Sequence, residues 1–317
     1  AARAETPPLK LADWMFDFHF DDEVDYFELD PVSYAPALGA RGLARLHERV
    51  KALRREYDAA RTDGTAHTYD HREHLLTWFE QRFAVLDRDI EAIIRTHLRD
   101  GRVAAWFEDV AEAFEEIDRD DLAIEWAERA TLFDHGHQSR HAAELWWRLL
   151  AAHRPVDLPD AARTIFDRWP SAGTGERLVE TVGHNVVDEV QAALESQPRE
   201  LVRFQLETLR DIHTAWESAH QLGLTDAHLW GQLAKAYLPI DPTAAIRVQL
   251  QLVAATLEVA DTRRYRPAAR DLSKIRASAL SVGLEALAEV DEVLADLRDR
   301  YRRRPSLLAA LDRAKLP

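Results

Sequence analysis

The sequence predicts an all-α protein: an α-solenoid of stacked helical hairpins behind a short, irregular, acidic N-terminal arm. Three observations predict it. From residue 43 to the end, apolar residues recur at spacings of three and four, the mark of amphipathic helices. Gly and Pro number only 11 and 13 in 317 residues, against a typical combined share of about 12%, which argues against a turn-rich β fold and a low-complexity polymer. The breaks between periodic stretches are short, so consecutive helices fold back on each other and bury their remaining faces on the next pair.

Residues 1–42 make the arm. Thr6-Pro7-Pro8 opens an extended lead, and Asp13-Trp14-Met15-Phe16-Asp17-Phe18-His19-Phe20 interleaves aromatics with acids. Eight carboxylates and no Lys or Arg lie between Asp13 and Asp30, before Pro31, Pro36, Gly39 and Gly42 close the segment. An irregular or partly stranded segment is expected, its aromatics docked on the helical body and its acids turned to water or a cation. Residues 43–100 form a leading helical hairpin. Leu43, Leu46, Val50, Leu53 and Tyr57 stripe its first helix, and Arg61-Thr62-Asp63-Gly64 breaks it. Leu75, Trp78, Phe79, Phe83, Leu86, Ile90, Ile93 and Ile94 keep one register through a second, longer helix that Asp100-Gly101 ends. Residues 101–317 then read as repeats. The expected pairs are 103–117 with 121–133, 139–152 with 159–168, 174–183 with 187–196, 200–210 with 213–222, 226–238 with 242–259, and 264–280 with 283–301. A terminal turn at 305–314 follows.

Charge is unevenly placed. The net charge is −15, yet residues 262–317 carry 13 Lys and Arg against 8 Asp and Glu, which leaves −20 on residues 1–261. So acidic a body repels phosphate backbones at long range and favours basic partners. Zero Cys removes disulfides, thiolate zinc sites and cysteine nucleophiles, and fits a cytoplasmic setting. No run approaches the roughly 20 apolar residues of a membrane span, so no membrane partner is expected. The chain starts Ala1-Ala2-Arg3 and its single Met is Met15, which suggests a processed chain or part of a longer one.

Two stretches resemble tetratricopeptide repeats. Phe107, Val110, Ala111 and Phe114 stand where that repeat places first-helix packing residues, and Ala123-Ile124-Glu125-Trp126-Ala127-Glu128-Arg129-Ala130 resembles its second helix. Ala127 replaces the usual aromatic, with Trp126 beside it, and His135 replaces the closing Pro. The second stretch is Trp230, Leu233, Ala234 and Tyr237, followed by Asp241-Pro242 and Ala245-Ile246. Between 170 and 225 the likeness is weak, and HEAT-like pairs fit equally well. Nearly the whole chain also resembles the helical region that follows the zinc finger of bacterial, mostly actinobacterial, SWIM zinc-finger proteins. The residues that carry this are Asp13 to Phe20, Val24-Asp25-Tyr26-Phe27, and Tyr301-Arg302-Arg303-Arg304-Pro305-Ser306-Leu307-Leu308. The resemblance implies a finger upstream of Ala1; with no Cys here, zinc is carried onto no residue of this chain, and no cofactor is expected in it.

Several clusters invite chemistry. His67, His71 and His74 fall at i, i+4 and i+7, one helical face that suits Zn²⁺ in principle, although neither common zinc-hydrolase spelling is present. A polar helix start with solvated imidazoles accounts for them equally. His135, His137 and His141 form a second, weaker group beside a loop. Asp21, Asp22, Glu23 and Asp25 offer carboxylates to a basic partner but lack the spacing of a calcium loop. Arg263, Arg266, Arg270 and Lys274 line one face of a helix, and Arg302, Arg303 and Arg304 add a second basic cluster. These seven suit nucleic-acid phosphates, or else neutralise the acidic body. Trp146-Trp147 reads as hairpin core or as an exposed anchor for a peptide. No Walker loop, nucleophile elbow or kinase signature occurs. The expectation is therefore a non-enzymatic scaffold that holds a protein or peptide, one of basic character being favoured. The alternative is a nucleic-acid-associated accessory region acting with an upstream finger and the basic tail.

Overall fold

A computed structural model describes residues 6–20, 29–62 and 71–317, and all the regular structure among them is helical. The chain divides into two compact units, Ala1–Ala161 and Ala162–Pro317.

In the first unit the expected irregular arm is, over its described part, a helix: α1 spans Pro8–Phe20. Leu11, Ala12, Met15, Phe16, His19 and Phe20 are buried, a three-and-four spacing that the alternation of acids and aromatics disguises as a strand. The aromatics stack inward, with Phe16–Phe20 centroids 4.7 Å apart and Phe20–Phe79 centroids 5.6 Å apart. The acids of α1 face neither water alone nor a foreign cation. Arg45 and Arg49 hold Asp13 at 2.9 and 3.2 Å, and Arg49 reaches Asp17 at 2.8 Å.

Helix α2 covers Pro31–Thr62, earlier than its stripe suggests. Asp30 accepts from the Val32 amide at 3.0 Å, and Pro31 takes the first helical position, where a missing N–H costs nothing. The helix kinks at Gly39, whose φ is 56°. At Gly42 a Cβ would stand 2.9 Å from the Pro8 carbonyl oxygen, so this glycine lets α1 approach. The long second helix expected over 75–94 is two helices, α3 at His71–Leu86 and α4 at Ile90–Leu98. Arg88 turns left-handed at φ 54°, and Asp89 caps α4 by accepting from the Ala92 amide at 3.1 Å. The apolar pattern runs through the break because Ile93, like Phe79 and Phe83, is buried. Residues 43–100 are thus three helices rather than a hairpin.

His97 closes α4, buried, with Nδ1 donating to the Ile93 carbonyl at 3.0 Å. Burial holds its pKa below the ordinary imidazole value; the Ile93 carbonyl opposes this, Arg82 and Arg99 add to it, and Glu116 opposes. A folded-state value below the unfolded one means stability is complete above about pH 6.5 and declines as pH falls below it. Urea unfolding at about pH 7.5 and about pH 5.5 should show that decline, and His97→Gln should reduce it.

Helices α5 (Ala104–Glu116), α6 (Asp120–Leu132) and α7 (His137–His153) follow, and α5 packs on both α6 and α7. Close approach comes from Ala111, Ala123, Ala127 and Ala130, all with no exposed surface. Trp126 fills the space beside Ala127, its ring 5.8 Å from that of Phe107. The expected boundaries at 42 and 100 lie inside this unit because α1 packs on α2, α2 on α3, α3 on α4 and α4 on α5 in one unbroken run. The division between units falls within α8, Leu158–Arg168.

The second unit continues with α9 (Ala172–Val182), α10 (Val187–Leu194), α11 (Pro198–Arg203) and α12 (Ile212–Gln221). A π-helical stretch at Phe204–Thr208 extends α11. Then come α13 (Ala227–Tyr237), α14 (Pro242–Glu258), α15 (Thr262–Val282), α16 (Leu284–Arg300) and α17 (Pro305–Arg313). Aspartates start many of these helices: Asp211, Asp226, Asp241 and Asp261 each accept from a backbone amide of the first turn, at 2.9 to 3.0 Å. Part of the acidic surplus is therefore spent on orphan amides rather than on a partner. Asp226→Ala should lower the unfolding free energy by about 1 kcal/mol, measured in urea, because it loses the Leu229 cap as well as Arg199 at 2.9 Å. The tetratricopeptide-like residues of this unit are core: Leu233, Ala234 and Ala245 have no exposed surface, and Trp216 stacks on Tyr237 at 4.1 Å.

Candidate functional site

Acidic side chains of α5 join it to α7. Helix α5 carries Glu108, Asp109, Glu112, Glu115 and Glu116 and no Lys or Arg. Two of these acids staple the helices. Glu108, almost buried, accepts from His141 Nδ1 at 2.8 Å, and Glu115 accepts two bonds from Arg148 at 2.5 and 2.7 Å. Glu116 is drawn away to Arg82, with its closest contact at 2.5 Å.

Asp109 and Glu112 remain. Burial pushes the Asp109 carboxyl above the ordinary range; Arg99 opposes and Glu108 adds to it. Glu112 is exposed, yet its carboxyl is raised too, first by loss of surrounding water and then by Glu108, Asp109 and Glu115, with Arg148 opposing. Glu115 itself is lowered, chiefly by its bond to Arg148. Neighbouring negative charge that makes a carboxylate reluctant to ionise makes a cation welcome, since a cation restores the charged form. The sequence signal for this face was the i, i+4, i+7 spacing of Glu108, Glu112 and Glu115, which the apolar stripe of Phe107, Val110 and Phe114 on the same helix overshadowed.

No protein-family model matches the chain. No curated protein matches it either.

The expected site residues are distributed as follows. Asp21, Asp22, Glu23 and Asp25 lie outside the described residues, as do His67 and the side chain of His71. His74 is exposed on α3, and among the described residues no group of three His, Asp or Glu side chains gathers as a metal site. Trp146 is buried in α7, 6% exposed, so it packs the hairpin and is no surface anchor; Trp147 is half-buried. Its place on the inner side of α7 follows from the spacing to Ala142, Ala143, Leu149 and Leu150, all buried.

The basic residues divide. Arg263 is bonded to Asp261 at 3.1 Å, Lys274 to Asp271 at 3.3 Å and Arg302 to Asp299 at 3.3 Å. Arg304 donates to the Leu257 and Glu258 carbonyls at 2.6 and 3.2 Å and lies over the Tyr301 ring, closing the end of α14. That is a helix-end role, in which a guanidinium satisfies carbonyls the helix leaves unpaired. Arg266, Arg270 and Arg303 are exposed. A separate cleft of about 510 Å³ between α2, α3 and α4 is lined by His47, Arg54, Glu80 and Asp89 among others. Within it Arg54 pairs with Glu80 at 2.8 Å and Asp89 caps α4.

Proposed function

We propose that this chain is a non-enzymatic, cytoplasmic scaffold that holds a protein segment, and that the segment is basic and lies on the α5–α7 face. In this reading the hairpins stack in the tetratricopeptide manner, and the chain is the helical region of a longer SWIM zinc-finger-type protein. The observation that carries the reading is the pair Asp109 and Glu112 on α5, whose carboxyls burial first, and then neighbouring acids, hold above their ordinary range. A Lys or Arg side chain from a partner offsets the like-charge repulsion and favours the ionised carboxylates. The packing of α5 on both its hairpin partner α6 and the next helix α7, through alanines, supports the tetratricopeptide comparison. The nucleic-acid alternative is less favoured, because Arg263, Lys274, Arg302 and Arg304 already serve this chain's own acids and carbonyls.

Calorimetric titration of the chain with a short Lys- and Arg-rich peptide tests the proposal. Binding should strengthen as pH rises from about 4 to about 7, since both carboxyls must ionise, and should weaken with added salt. The double substitution Asp109→Asn, Glu112→Lys should weaken it about tenfold. Equal affinity in that variant contradicts the assignment.

A further inference from the structure

The basic residues left uncommitted converge on one place. Arg266 and Arg270 stand one turn apart on α15, exposed and without a side-chain partner among the described residues. With Arg313 from the last turn of α17, exposed and equally unpartnered among the described residues, they line a cleft of about 670 Å³. Its remaining lining is Ala269, Ala310 and Ala314, so the three arginines supply the only polar side chains that line it. The acids nearest in sequence are taken: Asp271 by Lys274 at 3.3 Å, Asp312 by Arg298 at 2.8 Å, and Asp261 by Arg263 and Arg264.

Three guanidiniums around one cleft repel one another until an anion enters. The planar fork of each matches two oxygens of a phosphate group, which a lone ammonium does not. The geometry points to a binding site for a compact phosphorylated small molecule, its phosphate oxygens held by Arg266, Arg270 and Arg313. A compact ligand fits better than a nucleic acid strand for two reasons. The cleft is built from only two helices, one of them nine residues long, and the −20 on residues 1–261 repels an extended polyanion. The inference is independent of the peptide-binding reading, because its residues lie in the other unit and carry the opposite charge.

Titration of the chain with inorganic pyrophosphate in chloride buffer tests it. One equivalent should bind, and Arg313→Ala and the double variant Arg266→Ala, Arg270→Ala should each weaken binding about tenfold or more. Arg302→Ala, which removes an exposed arginine already paired with Asp299, should leave binding unchanged. Because all four side chains are exposed, thermal unfolding of the variants should match that of the parent. The assignment is overturned if the parent does not bind pyrophosphate, or if Arg302→Ala loses as much as Arg313→Ala. It is also overturned if a single-stranded oligonucleotide binds and pyrophosphate fails to displace it.

Discussion

Arg82→Ala should lower the unfolding free energy by about 2–3 kcal/mol, the largest loss expected from any single charged side chain here. Arg82 sits on α3, its side chain 17% exposed, between two carboxylates. It donates to Asp30 at 2.8 and 3.1 Å and to Glu116 at 2.8 and 2.5 Å. One guanidinium thus joins the start of α2, the C-terminal part of α3 and the end of α5. Asp30 is also the cap of α2, so its ionisation matters twice. Burial raises its pKa, but the bond to Arg82, the Val32 amide, the charge of Arg82 and Ser33 together outweigh burial and hold it below the ordinary value.

The truncation removes that compensation and leaves Asp30 desolvated beside Ala. The loss is smaller than for a fully buried pair because water still reaches both carboxylates. The sign with pH follows. A depressed folded-state value stabilises the fold above the unfolded value near 3.8, and this stabilisation disappears as pH falls through the folded value. In Arg82→Ala that acid-dependent portion should vanish, so parent and variant converge in stability at low pH. Arg82→Lys, which keeps the charge and loses the fork, should fall between them. Urea unfolding across pH measures all three.

Gly175→Ala should lower the unfolding free energy by about 1–3 kcal/mol, although alanine is the better helix former. A Cβ at Gly175 would stand 2.7 Å from Val190 Cγ1 and 3.5 Å from the rings of Phe166 and Phe204. Val190 and Phe204 have no exposed surface, and Phe166 is 1% exposed, so none of them moves aside cheaply. Gly173, two residues earlier in α9, has nothing within 4 Å of a built Cβ. Gly173→Ala should therefore gain about 0.5 kcal/mol where Gly175→Ala loses. Opposite signs in one helix separate packing from propensity in a single thermal-unfolding experiment.

Most of the helical architecture was legible because each amphipathic helix repeats its stripe and short breaks separate the stripes. The helix boundaries from residue 101 onward lie within a few residues of the observed ones, although α7 packs on α6 rather than on its expected partner α8. Two errors have one cause. Over 14–20 an aromatic at every second position imitates a strand, while the helix is decided by which of them reach Phe79 and α2. Over 75–94 the stripe continues across a turn that Arg88 and Asp89 make without Gly or Pro. Tertiary packing, invisible in spacing alone, settled both. The charged sites were harder to read. Spacing put Arg304 in a basic cluster, but only the fold brings the Leu257 carbonyl to it from 47 residues away. The same holds for Arg313, which no local pattern joins to Arg266 and Arg270. Net charge was the weakest guide, since acids that cap helices count fully toward −15 while serving this chain's own amides.

Hydrogen exchange of the intact chain, with and without a saturating Lys- and Arg-rich peptide, bears most directly on the scaffold reading. Slowed exchange confined to residues 104–116 and 137–153, and abolished by Asp109→Asn with Glu112→Lys, is the predicted result. Protection centred on any other helices, or none at a peptide concentration that saturates the calorimetric signal, would contradict it.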